Sequence, residues 1–222
     1  MWIIAVQELA RAGVGGISAS LLSHSIGAPP IARAGGEALK ARLLPAILSG
    51  ELISALAVTE PSGGSDVANL RTSARREGDH YIVSGEKTFI TSGMRADAIT
   101  VAVRTGGPGA SGVSLLVVDG DTPGLARTPL KKMGWWSSDT ATLYFDGCRV
   151  PAGNLLGKEG QGFRIAMHNF NDERLTIAAG AIGYARACLE EAAAYADERY
   201  AFGRRLADRL RQEEHSLSEV PG

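Results

Sequence analysis

Apolar positions recur at helical spacing through residues 1–52. One amphipathic helix is indicated near the start of the chain by Val6, Leu9, Ala10 and Val14. A second helix is predicted from Gly36 to Leu48, with Gly50 ending it. The intervening pair Pro29–Pro30 is expected to separate the two helices, because proline disrupts helical hydrogen bonding.

From Ile53 onward the pattern changes to short runs rich in β-branched and aromatic residues, bounded by Gly, Asp, Pro and Ser. The absence of helix-length segments between these runs favours antiparallel strands in a barrel or sandwich over alternating βα units. The predicted strands cover residues 53–59, 80–85, 87–92, 98–104, 113–119 and 141–150.

Helical spacing returns after Gly162. Leu175, Ile182 and Leu189 fall seven residues apart on one face, and Asn171 is predicted to be the N-cap of this helix. The many alanines and glycines on the helix permit close approach of a partner helix. We expect this apolar face to be poorly covered within one chain, which predicts self-association.

These periods predict an α+β fold with N-terminal helices, a central antiparallel β-barrel or sandwich, and the start of a C-terminal helical bundle. The expected domains are residues 1–52, 53–155 and 156–222. The polar end of the chain, residues 207–222, is predicted to be a frayed tail.

Composition excludes several classes of partner. Lys and Arg total 23 and Asp and Glu total 24, a balance that gives no reason to expect nucleic acid or a membrane. The two cysteines, Cys148 and Cys188, form no CxxC motif, and two cysteines in a chain of this length do not make a disulfide framework. We therefore expect a reduced, cytoplasmic setting and predict no metal site. We find neither a signal peptide nor an apolar run long enough to span a membrane.

The segment from Val58 to Asp66 contains the first candidate chemistry. A strand ends at Thr59, and a Gly-rich turn follows that exposes backbone N–H groups and lets a ligand approach the main chain. Thr59 and Ser65 add hydroxyl groups. Such a turn suits a phosphate or the pyrimidine edge of a flavin, although an ordinary hairpin turn has the same local composition.

Six segments occur in an order that resembles the acyl-CoA dehydrogenase family over residues 4–206. They are LAVTEPSGGSD, SGEKTFITSG, SSDTATLYFDGCRVP, LLGKEGQGF, DERLTIAAGAIGYARACLE and ERYAFGRRL. Any one of these segments is a weak signal, but six in the family's order and spacing are a strong one. The family's helical, β and helical layout also agrees with the periods described above.

The resemblance implies that FAD is the cofactor and assigns five residues to the flavin ring. Leu56, Val58 and Thr59 would lie along the ring, with Thr59 bonding its pyrimidine side. Phe89 would pack on the ring where many members have Trp, and Thr91 would bond near flavin N5. Donors at the pyrimidine edge stabilise the negative charge of a reduced flavin. Read without the family, the same residues are ordinary strand positions.

The resemblance assigns five further residues. Gly64 and Ser65 would approach the pyrophosphate of FAD and the bound thioester, and Arg174 would shape the substrate and CoA region. Arg199 and Phe202 match positions that reach the FAD of a neighbouring subunit, which implies a homo-oligomer. Arg199 is also interpretable as a solvated cation at a helix end.

Glu173 is the predicted general base. In most members the base lies in a loop beyond residue 222, but members resembling the isovaleryl and long-chain enzymes place it directly before the position of Arg174. Burial beside flavin and acyl chain would raise the pKa of such a carboxyl toward the working range. The alternative is an acid that stabilises the helix dipole.

The leading hypothesis is an FAD-dependent acyl-CoA dehydrogenase that forms trans-2-enoyl-CoA and passes electrons to an electron-transfer flavoprotein. Relative to the family pattern the C-terminal helical domain is shortened. A second hypothesis is therefore a truncated, non-catalytic FAD- or CoA-binding relic or interaction module. A third is a family offshoot whose flavin is reoxidised by oxygen.

Overall fold

The helices and strands follow one another in three groups along the chain. The structure is a computed structural model that describes residues 2–211, so residues 212–222 of the predicted frayed tail lie outside the described residues. Four helices come first, and one long helix follows the strands of the main sheet: α1 Trp2–Arg11, α2 Ile17–Leu21, α3 His24–Ala34, α4 Glu37–Ser49 and α5 Gly162–Glu198. The strands are β1 Ser54–Ala57, β2 Ser73–Glu77, β3 His80–Thr91, β4 Ala98–Arg104, β5 Val113–Asp119, β6 Leu125–Pro129, β7 Thr140–Pro151, β8 Tyr200–Ala201 and β9 Arg204–Arg205.

Seven strands form one sheet in the order β1-β4-β2-β3-β7-β6, with β5 paired to β4. The predicted α+β class is confirmed, and β4 and β5 have the predicted bounds. The sheet is mixed, however, because β1 pairs parallel with β4, and β2 also meets β4 in parallel, at Ser73 and Arg104. The prediction of a wholly antiparallel domain was wrong at these two pairings.

The strongly apolar strands are buried on both faces, which explains their nearly continuous hydrophobic runs. On β4, Ile99, Val101 and Val103 pack inside the curled sheet with residues of β3 and β7. Ala98 and Ala102 face the other way and pack with α3, α4 and the beginning of α5. The sheet therefore separates a core on its inner face from a second core, the helical core, between its outer face and the helices. The helical core extends to Val58, just after β1.

In the main sheet, β2 and β6 were not predicted from the sequence, and the two strands predicted over residues 80–85 and 87–92 form one strand, β3; the short strands β8 and β9 were not predicted either. β2 and β6 are mostly exposed and have little apolar alternation, so periodicity could not find them. β3 continues through Gly85, whose φ is 144° and where an added Cβ would lie 2.7 Å from Thr72 Cα. Gly85 is therefore not a strand end; its lack of a side chain allows the backbone near Thr72 to approach closely within the strand.

Two helix predictions were also wrong. Pro29 and Pro30 lie inside α3 rather than between helices. Burial of Ile31 and its neighbours in the helical core offsets the lost donors, and the chain turns instead at Gly35, whose N–H donates to Ile31 O. Asn171 is not an N-cap, because α5 already begins at Gly162, where a Cβ would clash with the backbone of Ser114 at 2.4 Å.

The chain divides into two compact units, Val14–Leu175 and Met1–Gly13 with Thr176–Gly222. In the second unit α1 packs on the later part of α5, where Gly183 approaches Gln7 and Ala10 closely. An ion pair of 2.7 Å joins Arg11 to Glu190. Across residues 2–211 no helix combines the length and apolar character needed to cross a membrane.

Candidate active site

A groove with a cavity volume of about 180 Å³ opens in the unit Val14–Leu175, at the edge of the sheet where β1 ends. Six residues predicted from the sequence line it: Leu56, Val58, Thr59, Phe89, Thr91 and Glu173. The structure thus brings together strand β1, strand β3 and helix α5.

Six further residues line the groove without having been predicted: Ser23, Ile26, Ser54, Ala55, Ile90 and Phe170. Ser23 and Ile26 come from the α2–α3 region, which carries no local motif, so only tertiary packing brings them here. Ala55 and Ser54 share β1 with predicted residues, and the strand's alternation could have suggested one of them. The hydroxyl of Ser54 is buried without a hydrogen-bond partner among the described residues.

The turn after β1 is held by its own backbone. Glu60 and Gly63 exchange two backbone hydrogen bonds of 3.0 Å each, which closes the Gly-rich turn predicted from the motif. Gly64 then passes close to Thr59, where an added Cβ would lie 3.1 Å from Thr59 Cγ2. A side chain at Gly64 would press on the Thr59 side chain that faces the groove.

A buried ion pair lies directly behind this turn. Lys87 Nζ donates to Glu60 Oε1 at 2.8 Å and to Val58 O at 3.0 Å, and both charged side chains are almost fully buried. Glu60 also accepts the backbone N–H groups of Arg71 and Thr72 at 2.7 and 2.8 Å. Lys87 therefore ties β3 to the end of β1, the strand that forms the groove wall.

The pair remains charged at neutral pH. Burial by itself raises the pKa of the Glu60 carboxyl, but hydrogen bonds from Lys87 and Thr72 and the charge of Lys87 bring that pKa down to about 2. Burial lowers the pKa of Lys87 to about 8 against the attraction of Glu60. Removing either partner of such a buried pair strongly destabilises the folded protein, because the remaining charge is then buried without compensation.

Phe89 stands out of the core because β3 is irregular at this point. The β3–β7 register shifts between Lys87 and Ile90, and Phe89 has a φ of 59° and is 69% exposed. Such a conformation costs roughly 1–3 kcal/mol and persists only when its surroundings enforce it. Thr88 supplies part of that enforcement, since its N–H donates to Thr59 O at 2.9 Å.

Glu173 projects from α5 toward the groove and is partly buried. Burial raises the pKa of its carboxyl to about 7, with Arg174 opposing and Asp172 adding to this rise. One turn earlier Asn169 is buried, and its Nδ2 donates to Glu173 Oε1 at 2.5 Å. The arrangement presents an acid–base group near neutrality beside a largely apolar wall.

The other predicted site residues lie elsewhere. Gly64 and Ser65 are exposed in the turn, and Arg174 is exposed with its Nη1 donating to Asn171 Oδ1 at 2.8 Å. Arg199 and Phe202 belong to the other compact unit, beside and within the β8–β9 hairpin. There the Phe202 ring is stacked by Arg209 at 4.8 Å. The roles of these five residues stay predictions.

Comparison with known proteins agrees with this architecture. Three family descriptions match consecutive parts of the chain: acyl-CoA dehydrogenase N-terminal domain over residues 1–51, middle domain over residues 55–148 and C-terminal domain over residues 160–214. A probable acyl-CoA dehydrogenase from Mycobacterium abscessus superposes with a TM-score of 0.92 at 50% identity, covering 98% of this chain and 58% of that one.

Curated relatives are similar over nearly the whole chain. An acyl-CoA dehydrogenase of Emericella nidulans is 45% identical, covering 91% of this chain and 47% of the relative. One from Bacillus subtilis is 43% identical, covering 93% of this chain and 55% of the relative. The chain spans about half the length of the curated relatives it matches. On the three matched domains and these likenesses, the chain belongs to the acyl-CoA dehydrogenase family.

Proposed function

We propose that this protein is an FAD-dependent acyl-CoA dehydrogenase that converts an acyl-CoA thioester to trans-2-enoyl-CoA. The observation that carries the proposal is the position of Glu173, which lines one groove together with Thr59, Phe89 and Thr91. A carboxyl group with a pKa of about 7 is suited to proton abstraction near neutral pH.

The residues of the groove fit a flavin. Phe89 offers an exposed aromatic ring, and Leu56 and Val58 offer an apolar strand face. Thr59 and Thr91 add hydroxyl groups. This combination of a flat apolar surface with a few polar donors is typical of cofactor sites.

In the proposed reaction, the groove residues would transfer the proton, exclude water and orient the cofactor. FAD, when bound, would supply the acceptor for the hydride that leaves the substrate's β carbon. Glu173 would take the α proton on its carboxylate, so that the C–H electrons form the new double bond. Leu56, Val58 and Phe170 would keep water from the reacting carbons, and Thr59 and Thr91 would orient the cofactor by hydrogen bonds.

Residues outside the groove complete the proposal. Ser65 and Gly64, exposed in the turn after β1, would approach the thioester and the pyrophosphate of FAD. Arg174 would shape the CoA region, and Arg199 and Phe202 would reach the FAD of a second subunit in a homo-oligomer. The reduced cofactor would be reoxidised by an electron-transfer flavoprotein.

The proposed domains are residues 1–52, 53–155 and 156–222, with the β domain holding flavin and thioester. Their test is limited proteolysis of the FAD-loaded chain. Cleavage confined to the regions around residues 52 and 155 would support the boundaries, and cleavage within the sheet would contradict them.

The main test is an absorbance spectrum of the purified chain, recorded before and after addition of a series of acyl-CoA thioesters. We expect a yellow protein that one of the thioesters bleaches under anaerobic conditions. Glu173→Gln should retain the flavin and lose bleaching and exchange of the substrate α proton. Glu191→Gln, an exposed substitution on the same helix, is the matched control and should bleach normally.

Other results would select the other hypotheses. A colourless protein that does not take up added FAD would contradict the proposal and favour a non-catalytic relic. Bleaching followed by release of hydrogen peroxide in air would favour the oxygen-reactive offshoot. Full activity of the Gln variant would show that Glu173 is not the base.

A further inference from the structure

We propose that Asn169 is a positioning residue that holds the Glu173 carboxylate in the groove through its side-chain amide. The inference deepens the proposed function and rests on it for its catalytic meaning. Asn169 itself does not line the groove, so it would act on the substrate only through Glu173.

The side-chain amide of Asn169 contacts both the Glu173 carboxylate and the backbone carbonyl of Ile26. Asn169 is 1% exposed and lies four residues before Glu173 on α5, a spacing that puts the two side chains on the same face of the helix. Its Nδ2 donates to Glu173 Oε1 at 2.5 Å and to Ile26 O at 3.3 Å. Ile26 belongs to α3 and lines the groove itself.

The Ile26 contact fixes which end of the amide meets Glu173. A backbone carbonyl only accepts hydrogen bonds, so the nitrogen of the Asn169 amide must face Ile26. The same nitrogen is the atom that reaches Glu173 Oε1. Asn169 therefore presents a donor to the carboxylate and ties its position to the wall of the groove.

Helix stability does not account for an asparagine at this buried position. Asparagine is a weak helix former compared with alanine or leucine, and burying its amide costs free energy unless the amide is hydrogen-bonded. The contact with Glu173 uses the amide in the way that favours the charged carboxylate. Asn169 should thus oppose the effect of burial, which raises the pKa of Glu173.

The charged groups around Glu173 are few. Among the described residues that line the groove, Glu173 is the only acid or base. Arg174 and Asp172 flank it on α5, and Arg33 of α3 pairs with Asp172 at 2.8 Å. A change confined to Asn169 leaves these charges in place, so its effect on Glu173 can be read separately.

The test is a ¹³C NMR titration of the Glu173 carboxyl in the full chain with labelled glutamate, the signal being assigned from Glu173→Gln. Asn169→Leu removes the donor at similar volume. We expect the variant to raise the pKa of Glu173 by about one unit, a tenfold change in proton affinity. Asn169→Asp, which keeps the shape of the side chain, should raise it further because a second carboxylate then faces the first.

Asn154→Leu is the matched control, because Asn154 is also buried and its amide donates to a backbone carbonyl, that of Val117 at 2.7 Å. This variant should lose stability and leave the Glu173 titration unchanged. Unshifted titrations in both folded Asn169 variants would overturn the proposal, as would an equal shift in Asn154→Leu. If Asn169→Leu does not fold, Asn169→Ala, which removes the same donor without adding a charge, decides the question in its place.

The experiments distinguish a failure of the proposed base role of Glu173 from a failure of the proposed positioning role of Asn169. A shifted titration combined with full activity of Glu173→Gln would keep the positioning contact and remove the base role. An inactive Gln variant combined with unshifted titrations would keep the base and remove Asn169 from its positioning. In the FAD-loaded protein, the acid limb of the kcat profile should move with the NMR titration.

Discussion

Two buried or partly buried glutamates lie in two regions of the same compact unit, and they differ in the hydrogen-bond donors and the cation that they contact. Glu60, after β1, accepts hydrogen bonds from Lys87 and from two backbone N–H groups. Glu173, on α5, has one amide donor and no cation within ion-pair distance among the described residues. Burial acts on both, yet the pKa of Glu60 is about 2 and that of Glu173 about 7.

The comparison shows that burial alone does not decide whether a carboxyl group stays charged or titrates near neutral pH. A carboxylate that is fully hydrogen-bonded stays charged and joins strands, as Glu60 does. A carboxyl group that is only partly compensated titrates near neutrality and can exchange protons with a substrate. The groove is thus bordered by the end of β1, which the Lys87–Glu60 pair holds in place and which we call the fixed wall, and by the titratable Glu173 on α5.

The largest expected effect is on the fixed wall. Lys87→Met leaves the Glu60 carboxylate buried without its cation and removes the donor to Val58 O. We expect a loss of about 3–5 kcal/mol in the free energy of unfolding, measured by urea denaturation at pH 7. Lys158→Met, at an exposed lysine, is the control. A loss below about 1 kcal/mol would show that the pair does not hold the wall.

The second prediction concerns acid. Because the folded-state pKa of Glu60 is lowered from 4.5 to about 2, its contribution to stability is present above pH 4.5 and is lost as pH falls toward 2. The contribution should be about 3 kcal/mol. Glu60→Gln should flatten this part of the stability profile, whereas the exposed control Glu51→Gln should follow the wild type. Parallel profiles for all three proteins would contradict the lowered pKa.

Glu173 should show the opposite sign over a different pH range. Its folded-state pKa is raised from 4.5 to about 7, so the stability that it contributes is fully present below pH 4.5 and is lost as pH rises through 7. Glu173→Gln should therefore be more stable than the wild type at pH 8, by about 1–3 kcal/mol, and equally stable at pH 4. Thermal unfolding at both pH values measures this, and a Gln variant less stable at pH 8 would refute it.

The smallest effect on stability is expected further along α5, where Ile182 and Leu189 are exposed. Leu189→Lys should change the free energy of unfolding by less than about 0.5 kcal/mol and should reduce self-association, measured by sedimentation velocity. Leu48→Lys, an exposed leucine on α4, should leave association unchanged. If neither variant alters association, the predicted self-association through the apolar face of α5 is wrong.

The last variant also sharpens the comparison of the two glutamates. Leu189 and Glu173 share one helix but lie in different compact units. If association is independent of the groove, Leu189→Lys should leave the titration of Glu173 unchanged. A shift in that titration would mean that the environment of Glu173 depends on contacts between copies of the chain.

The sequence by itself determined the family, the α+β class and the positions of the groove residues that belong to motifs. Local patterns carry this information: β4 and β5 are continuous apolar runs, and Thr59, Thr91 and Glu173 occur within recognisable segments. Where the pattern is weak, as in β2 and β6, the sequence did not show the strands, because a strand whose side chains are mostly exposed needs no apolar alternation.

Only the tertiary structure decided the environment of each charged group. Lys87 and Glu60 meet across 27 residues, and Asn169 meets Ile26 across 143. Likewise, the parallel pairing of β1 with β4 and the burial of Pro30 inside α3 depend on distant partners. Periodicity describes which face of an element is apolar, whereas a pKa depends on which donors and charges the fold brings within hydrogen-bonding distance.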